Sequence, residues 1–145
     1  MGQTLAEIIT NNHVGLVAEE AHPDLEYIGA VLANQYGHLD YVDITMPSAE
    51  RERRGIRPNY NGSTETRERV HREFEQYMFE QTATRNARVV LVICGRQHSR
   101  GLAQLFAGTG AKPSVYDVLD YQWYRGIPKE EMGGGIVGYD RGDAP

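Results

Sequence analysis

Two short polar clusters follow apolar runs in this chain of 145 residues. Glu19 and Glu20 close the run VGLVA, and Gly95-Arg96-Gln97-His98 follows VVLVIC. A histidine and a carboxylate that meet can act as general acid and base, or can bind a divalent ion such as zinc or manganese. A nearby guanidinium, from Arg96 or Arg72, would stabilise negative charge developing on a substrate. These residues predict a hydrolytic site for a small molecule or a peptide.

The local spacing leaves the roles of these residues open. Successive side chains of a strand point to opposite faces, so one of Glu19 and Glu20 can face a site while the other caps the next helix. Gly95 allows a close approach of ligand to backbone, and the helix after it would favour an anion. Alternatively, His98 only caps its helix and Gly95 only turns the chain.

Strands alternating with helices are expected to position these clusters. The patterns predict a three-layer α/β/α fold with a mainly parallel sheet of about four strands. The carboxyl ends of parallel strands meet at one edge, where ligands gather. Strands are expected at 14–19, 41–44, 88–95 and 114–119, with 88–95 central, and helices at 3–10, 23–36, 65–84 and 99–107.

The predicted domain spans residues 1–132. Thr64 is expected to begin the long helix through an imperfect capping box. Residues 133–145 are rich in glycine and have too little apolar content to fold alone, so they are predicted to be a C-terminal tail.

A polar stretch at 48–63 is predicted to be a loop with about one helical turn. Its arginines, among them Arg51 and Arg54, make it locally positive. This favours a second hypothesis, a binding module without catalysis that holds an anionic or phosphate-bearing small molecule. A solvated surface turn would show the same charge pattern.

A third hypothesis is assembly, as a homodimer or larger homo-oligomer. It rests on a group of aromatic residues, which are enriched at interfaces but also occur as core or tail anchors: Tyr116, Tyr121, Trp123 and Tyr124.

Composition indicates an ordinary soluble protein, with 40% hydrophobic and 24% charged residues. A net charge of −5 argues against nucleic acid or anionic lipid as partner. No apolar run approaches the ~20 residues of a membrane helix, and no secretory signal is evident, so a cytoplasmic location is expected. The single cysteine, Cys94, lies in an aliphatic run and is interpreted as a buried hydrophobe.

Two longer segments resemble a known family. The sequence REFEQYM at 72–78, then VVLVICGRQHSRGLAQLF and Gly110, resembles the closing half of the TraB/Tiki domain group. Those proteins combine a long helix with Arg and Met, an aliphatic strand, a GxxH motif, and Gly-Leu in the next helix. LVAEEAHPDLE is similar to their early strand ending in glutamate. The group includes Tiki-type metalloproteases and is related to haem-binding ChaN-like and erythromycin-esterase-like proteins.

The resemblance implies a metal-dependent hydrolase with His98 and Glu19, or Glu20, as ligands. The chain departs from the family at an earlier GxxH motif, for which it has no counterpart. His13 precedes its strand and has no glycine three residues before it. The resemblance therefore implies a degenerate or shortened member, or one whose site a partner subunit completes.

Overall fold

The computed structural model describes residues 5–20, 28–58, 62–117 and 134–140. No helix in these ranges is long and apolar enough to cross a bilayer. The elements follow the chain in this order: α1 (Leu5–Asn11), β1 (Leu16–Glu19), α2 (Ile28–Gln35), β2 (Asp40–Asp43), α3 (Ser48–Arg53), α4 (Thr64–Ala83), β3 (Val89–Gly95), α5 (Arg96–Ala107), β4 (Lys112–Asp117) and β5 (Gly134–Asp140).

The strands form one sheet in the order β2-β1-β3-β5-β4. Strand β1 pairs in parallel with β2 and with β3, which places Glu19 level with Asp43 on one side and with Ile93 on the other. The predicted α/β class with a mainly parallel sheet is confirmed, and β3 has the central position expected of its apolar run.

Residues 134–140, inside the segment predicted to be a tail, form β5 between β3 and β4. This strand is antiparallel to both neighbours. Within the described ranges the sheet therefore has five strands instead of about four. Composition suggested a tail because the segment has few apolar side chains, but a strand between two partners is held by backbone hydrogen bonds on both edges.

Helices cover both faces of the sheet. On one face Val17 and Leu91 pack with Ile8 of α1 and, at the edge of the cluster, Leu32 of α2. On the other face the core joins the sheet to α4 and α5, and its members include Leu16, Ala18, Val90, Val92, Phe74, Met78, Leu102 and Phe106. Odd and even residues of β1 thus enter different cores, as the alternation of a strand requires.

The starts of α4 and α5 differ from expectation. Ser63, not Thr64, caps α4, because its hydroxyl accepts a hydrogen bond from the Thr66 N–H at 3.1 Å. Helix α5 begins at Arg96, directly after β3, three residues earlier than predicted. Consequently His98 lies in the first turn of a helix. The predicted loop at 48–63 contains the short helix α3.

Candidate functional site

Strands β1 and β3 end side by side, and Glu20 links the two ends. The Gly95 N–H donates to Glu20 Oε1 at 3.0 Å, and the Glu20 N–H donates to the Ile93 carbonyl at 2.8 Å. Gly95 is the N-cap of α5. Glu20 is therefore held at the junction between the central strand and the helix that presents His98.

Glu19 lies on the opposite face. Its side chain accepts hydrogen bonds from the Gly29 N–H at 3.0 Å and from the Tyr41 hydroxyl at 2.9 Å. Only 4% of Glu19 is exposed. Burial raises the pKa of its carboxyl, although both hydrogen bonds act to lower it. One of the two glutamates was expected to cap the next helix and the other to face a site. Glu19 caps α2, and Glu20 lies at the junction between β3 and α5.

His98 is enclosed by side chains of α4. Its imidazole makes an edge-to-face contact with His71, with centroids 5.1 Å apart, and a tilted contact with Phe74 at 5.9 Å. Its Nδ1 lies 3.9 Å from Glu75 Oε2, beyond hydrogen-bond distance. Among the described residues, buried Nδ1 has no hydrogen-bond partner. A buried polar group without a partner costs about 1–3 kcal/mol, so the position of Nδ1 calls for a specific explanation.

Glu75 is the second buried ionisable group of this cluster, with 8% of its surface exposed. Gly101 of α5 makes room for it, because a Cβ at Gly101 would overlap Glu75 Oε1. We call His71, Phe74, Glu75 and His98 the His98 cluster. It combines two imidazoles and one carboxylate at the contact between α4 and α5.

The sequence prediction missed His71 and Glu75. Both come from the middle of the helix expected at 65–84, in which Arg72 alone was a candidate site residue. A signal was present, because Glu75 lies between Phe74 and Met78 on the apolar side of α4, where a carboxylate needs a specific reason.

The charges of two carboxylates, Glu75 and Glu20, act on the pKa of His71. Burial, followed by the charges of His98 and Arg67, lowers its pKa, whereas Glu75 and Glu20 act in the opposite direction. Neutral imidazole is thereby favoured at position 71, and neutral imidazole can accept as well as donate a proton.

The arginines predicted to bind a ligand or to stabilise negative charge lie in different parts of the structure. The Arg51 guanidinium stacks over the Phe74 ring at 5.3 Å, which places a positive charge on the outer side of the His98 cluster. Arg96 is the exposed first residue of α5, and Arg72 is exposed on α4.

Arg54 is engaged elsewhere. It bonds to Glu50 at 2.8 Å and to Glu73 at 2.9 Å, and it lies 3.6 Å from Glu80. Its guanidinium also lies over the Tyr77 ring at 5.6 Å. Three carboxylates around one guanidinium leave little positive field for a bound anion, so Arg51 is the better candidate of the two predicted ligand-binding arginines.

Cys94 is 2% exposed and belongs to the core that joins the sheet to α4 and α5. Burial raises the pKa of its thiol, which keeps the sulfur protonated and unreactive.

The predicted metal ligands do not converge. Glu19 faces α2 and His98 faces α4, so the sheet separates them. Within the part of the chain that the structure describes, no three side chains of His, Cys, Asp or Glu are placed to hold one ion. His98 and Glu75 are one pair of neighbouring donors, with Nδ1 and Oε2 3.9 Å apart.

The predicted aromatic group falls mostly outside the described residues. Tyr121, Trp123 and Tyr124 lie beyond them, and Tyr116 contributes its backbone to β4.

Comparison with known proteins found no similar family or structure. No family model matches the chain, no curated protein matches it, and no solved structure matches it. The likeness to the TraB/Tiki group accordingly stays a prediction from the quoted motifs.

Proposed function

We propose that this protein is a hydrolase that uses acid–base chemistry at the His98 cluster. The observation that supports this most directly is His98 itself, whose buried Nδ1 lies without a hydrogen bond beside the buried carboxylate of Glu75. The pair lies near the carboxyl edge of the parallel strands, where α/β proteins bind their ligands.

The proposed roles follow from position. His98 transfers the proton between water and the leaving group, and Glu20 at the strand junction accepts hydrogen bonds from the attacking water. Arg96, Arg72 or Arg51 stabilises the negative charge that develops on the substrate. The substrate is a small molecule or a peptide, and the reaction takes place in the cytoplasm.

A metal-dependent form of the same hydrolase would use zinc or manganese, as the family resemblance implies. His98 and Glu75 supply two donors, which is fewer than zinc sites use. As arranged, these residues do not fit a metal site without a third donor from outside the described ranges or from a partner subunit. No step of the proposed reaction passes through an ion.

The proposal is tested by assaying purified protein without a His tag against chromogenic carboxylic and phosphoric esters and a fluorogenic peptide library. For any substrate turned over, His98→Asn should lower kcat/KM by about 10²–10⁴-fold. His38→Asn, at an exposed histidine outside the cluster, is the matched control and should retain full activity.

Two results would contradict the hydrolase. One is an activity that His98→Asn leaves unchanged, and the other is no turnover across the panel. Elemental analysis of wild type and His98→Ala belongs to the same experiment, because near-stoichiometric metal that disappears in the variant would favour the metal-dependent form.

Anion binding without catalysis is the second candidate, and the position of Arg51 favours it. The Arg51 guanidinium stacks on Phe74 beside the His98 cluster, while Arg54 is neutralised by carboxylates. Titration calorimetry with inorganic phosphate separates the two candidates. A binding module should lose phosphate affinity in Arg51→Ala, keep it in His98→Asn, and turn over none of the substrates in the panel.

A further inference from the structure

We propose that Glu75 is a positioning residue that fixes the neutral imidazole of His98 as the tautomer with hydrogen on Nδ1. The basic atom of the ring is then Nε2, the nitrogen opposite the carboxylate. That Nε2 exchanges a proton with a substrate rests on the proposed function, whereas the tautomer itself does not.

The first argument comes from the hydrogen-bonding capacity of the two groups. An ionised carboxylate only accepts hydrogen bonds, so a ring nitrogen facing it is stabilised when it bears the proton. Glu75 Oε2 lies 3.9 Å from Nδ1, and no described residue gives Nδ1 a hydrogen bond. This separation exceeds an ordinary hydrogen bond by about 1 Å, and hydrogen bonds at catalytic sites are often long before substrate binds.

The second argument is the space reserved for the carboxylate. Gly101 follows His98 by three residues and lies on the same side of α5. The carboxylate of Glu75 occupies the volume that a Cβ at position 101 would need. The side chains of His98 and Glu75 are nearly excluded from solvent, being 4% and 10% exposed. Helix α5 thus holds the imidazole and leaves room for its partner within a single turn.

The third argument is the neighbouring ring. His71 contacts His98 edge to face with an interplanar angle of 79°, and Phe74 covers another side. These contacts restrict rotation of the imidazole, so a flip that would exchange the two nitrogens is sterically opposed.

Long-range ¹H–¹⁵N NMR of the histidine side chains tests the tautomer directly. Spectra are recorded at a pH at which the imidazole is neutral, and His98→Asn identifies the signals of His98. In wild type we expect Nδ1 to resonate as a protonated nitrogen and Nε2 as an unprotonated one. Free histidine prefers the opposite tautomer, so the expected pattern is diagnostic of a partner at Nδ1.

Two variants remove the partner in different ways. Glu75→Met replaces the carboxylate with an apolar group of similar length, and Gly101→Ala keeps the carboxylate but displaces it. Both should shift His98 toward the tautomer with hydrogen on Nε2. Glu68→Gln, at an exposed position of the same helix, is the control and should leave the pattern unchanged.

The inference is overturned if wild-type His98 bears its hydrogen on Nε2, a result that requires no variant to fold. It is also overturned if both folded variants keep the wild-type pattern. The expected tautomer without turnover of any substrate would refute the hydrolase and leave the role of Glu75 standing. Turnover that depends on His98, in a protein whose His98 bears its hydrogen on Nε2, would support the hydrolase and refute the role of Glu75.

Discussion

At the scale of single residues, Glu19 shows how a buried carboxyl can act against the stability of the folded state. Burial raises the pKa of its carboxyl in the folded state above the ordinary value of 4.5. At a pH between this value and the folded pKa, Glu19 of the folded chain keeps a proton that the unfolded chain has lost. The contribution of Glu19 to stability is therefore complete below 4.5 and declines as pH rises through the folded pKa.

Replacing Glu19 with glutamine should remove this decline. Glutamine keeps an oxygen for the Gly29 N–H, and the Tyr41 hydroxyl can accept from its amide nitrogen. We expect the free energy of unfolding of Glu19→Gln to fall less than that of wild type as pH rises from 4.5 through the folded pKa. Urea unfolding across a pH series measures it, with Glu68→Gln as control. Equal slopes in wild type and Glu19→Gln would show that the carboxyl is not held in a raised state.

The same scale shows how far the sequence could predict the site. Alternation along a strand sufficed to assign Glu19 and Glu20 to different faces, because that property is local. His98 was likewise placed at a strand end by its own motif. Its partners His71 and Glu75 were not found, since a contact between α4 and α5 depends on how two distant segments pack.

At the scale of elements, Arg54 fastens the short helix α3 to the long helix α4. It joins Glu50 of α3 to Glu73 and Glu80 of α4. Hydrogen bonds from Arg53 and Arg54 lower the pKa of Glu50 to about 2. An isolated helix of six residues would not be stable, so α3 depends on this attachment and on the Arg51 contact with Phe74.

Arg54→Met should therefore destabilise the protein, whereas Arg53→Met should not. The Arg54 side chain is 13% exposed and serves several carboxylates, but that of Arg53 is 69% exposed and serves Glu50 alone among the ion pairs described. We expect Arg54→Met to cost roughly 0.5–3 kcal/mol and Arg53→Met to stay within about 0.5 kcal/mol of wild type. Urea unfolding distinguishes them, and similar losses in both variants would argue against a clamp centred on Arg54.

Element prediction succeeded where periodicity was strong. The 20-residue helix α4 and the apolar strand β3 were both found from patterning. β5 was missed, because its sequence GGIVGYD carries little apolar signal and its stability comes from backbone pairing. The early start of α5 was missed because β3 passes into it at Gly95 without a separating loop.

At the scale of the whole molecule, β5 joins β4 to the rest of the sheet. It pairs with β3 from Val89↔Asp140 to Gly95↔Gly134, and its other edge forms six residue pairs with β4. Without it, β3 would have one unpaired edge and β4 would have no described partner strand in the sheet.

A chain ending at residue 133 should consequently aggregate, because an exposed apolar strand edge pairs with other chains. A chain ending at residue 140 keeps β5 and is the control. Size-exclusion chromatography and the urea midpoint compare the two. The prediction is wrong if the shorter chain elutes and unfolds like the control.

The position of β5 also has a consequence for biosynthesis. Roughly forty residues separate the end of β3 from the start of β5, and translation proceeds at about 5–20 residues per second. For a few seconds, then, the nascent chain has completed its most apolar strand without the strand that will cover its edge. Chaperones that bind extended apolar segments would meet β3 in this interval, and the sheet closes only after residue 140 has left the ribosome.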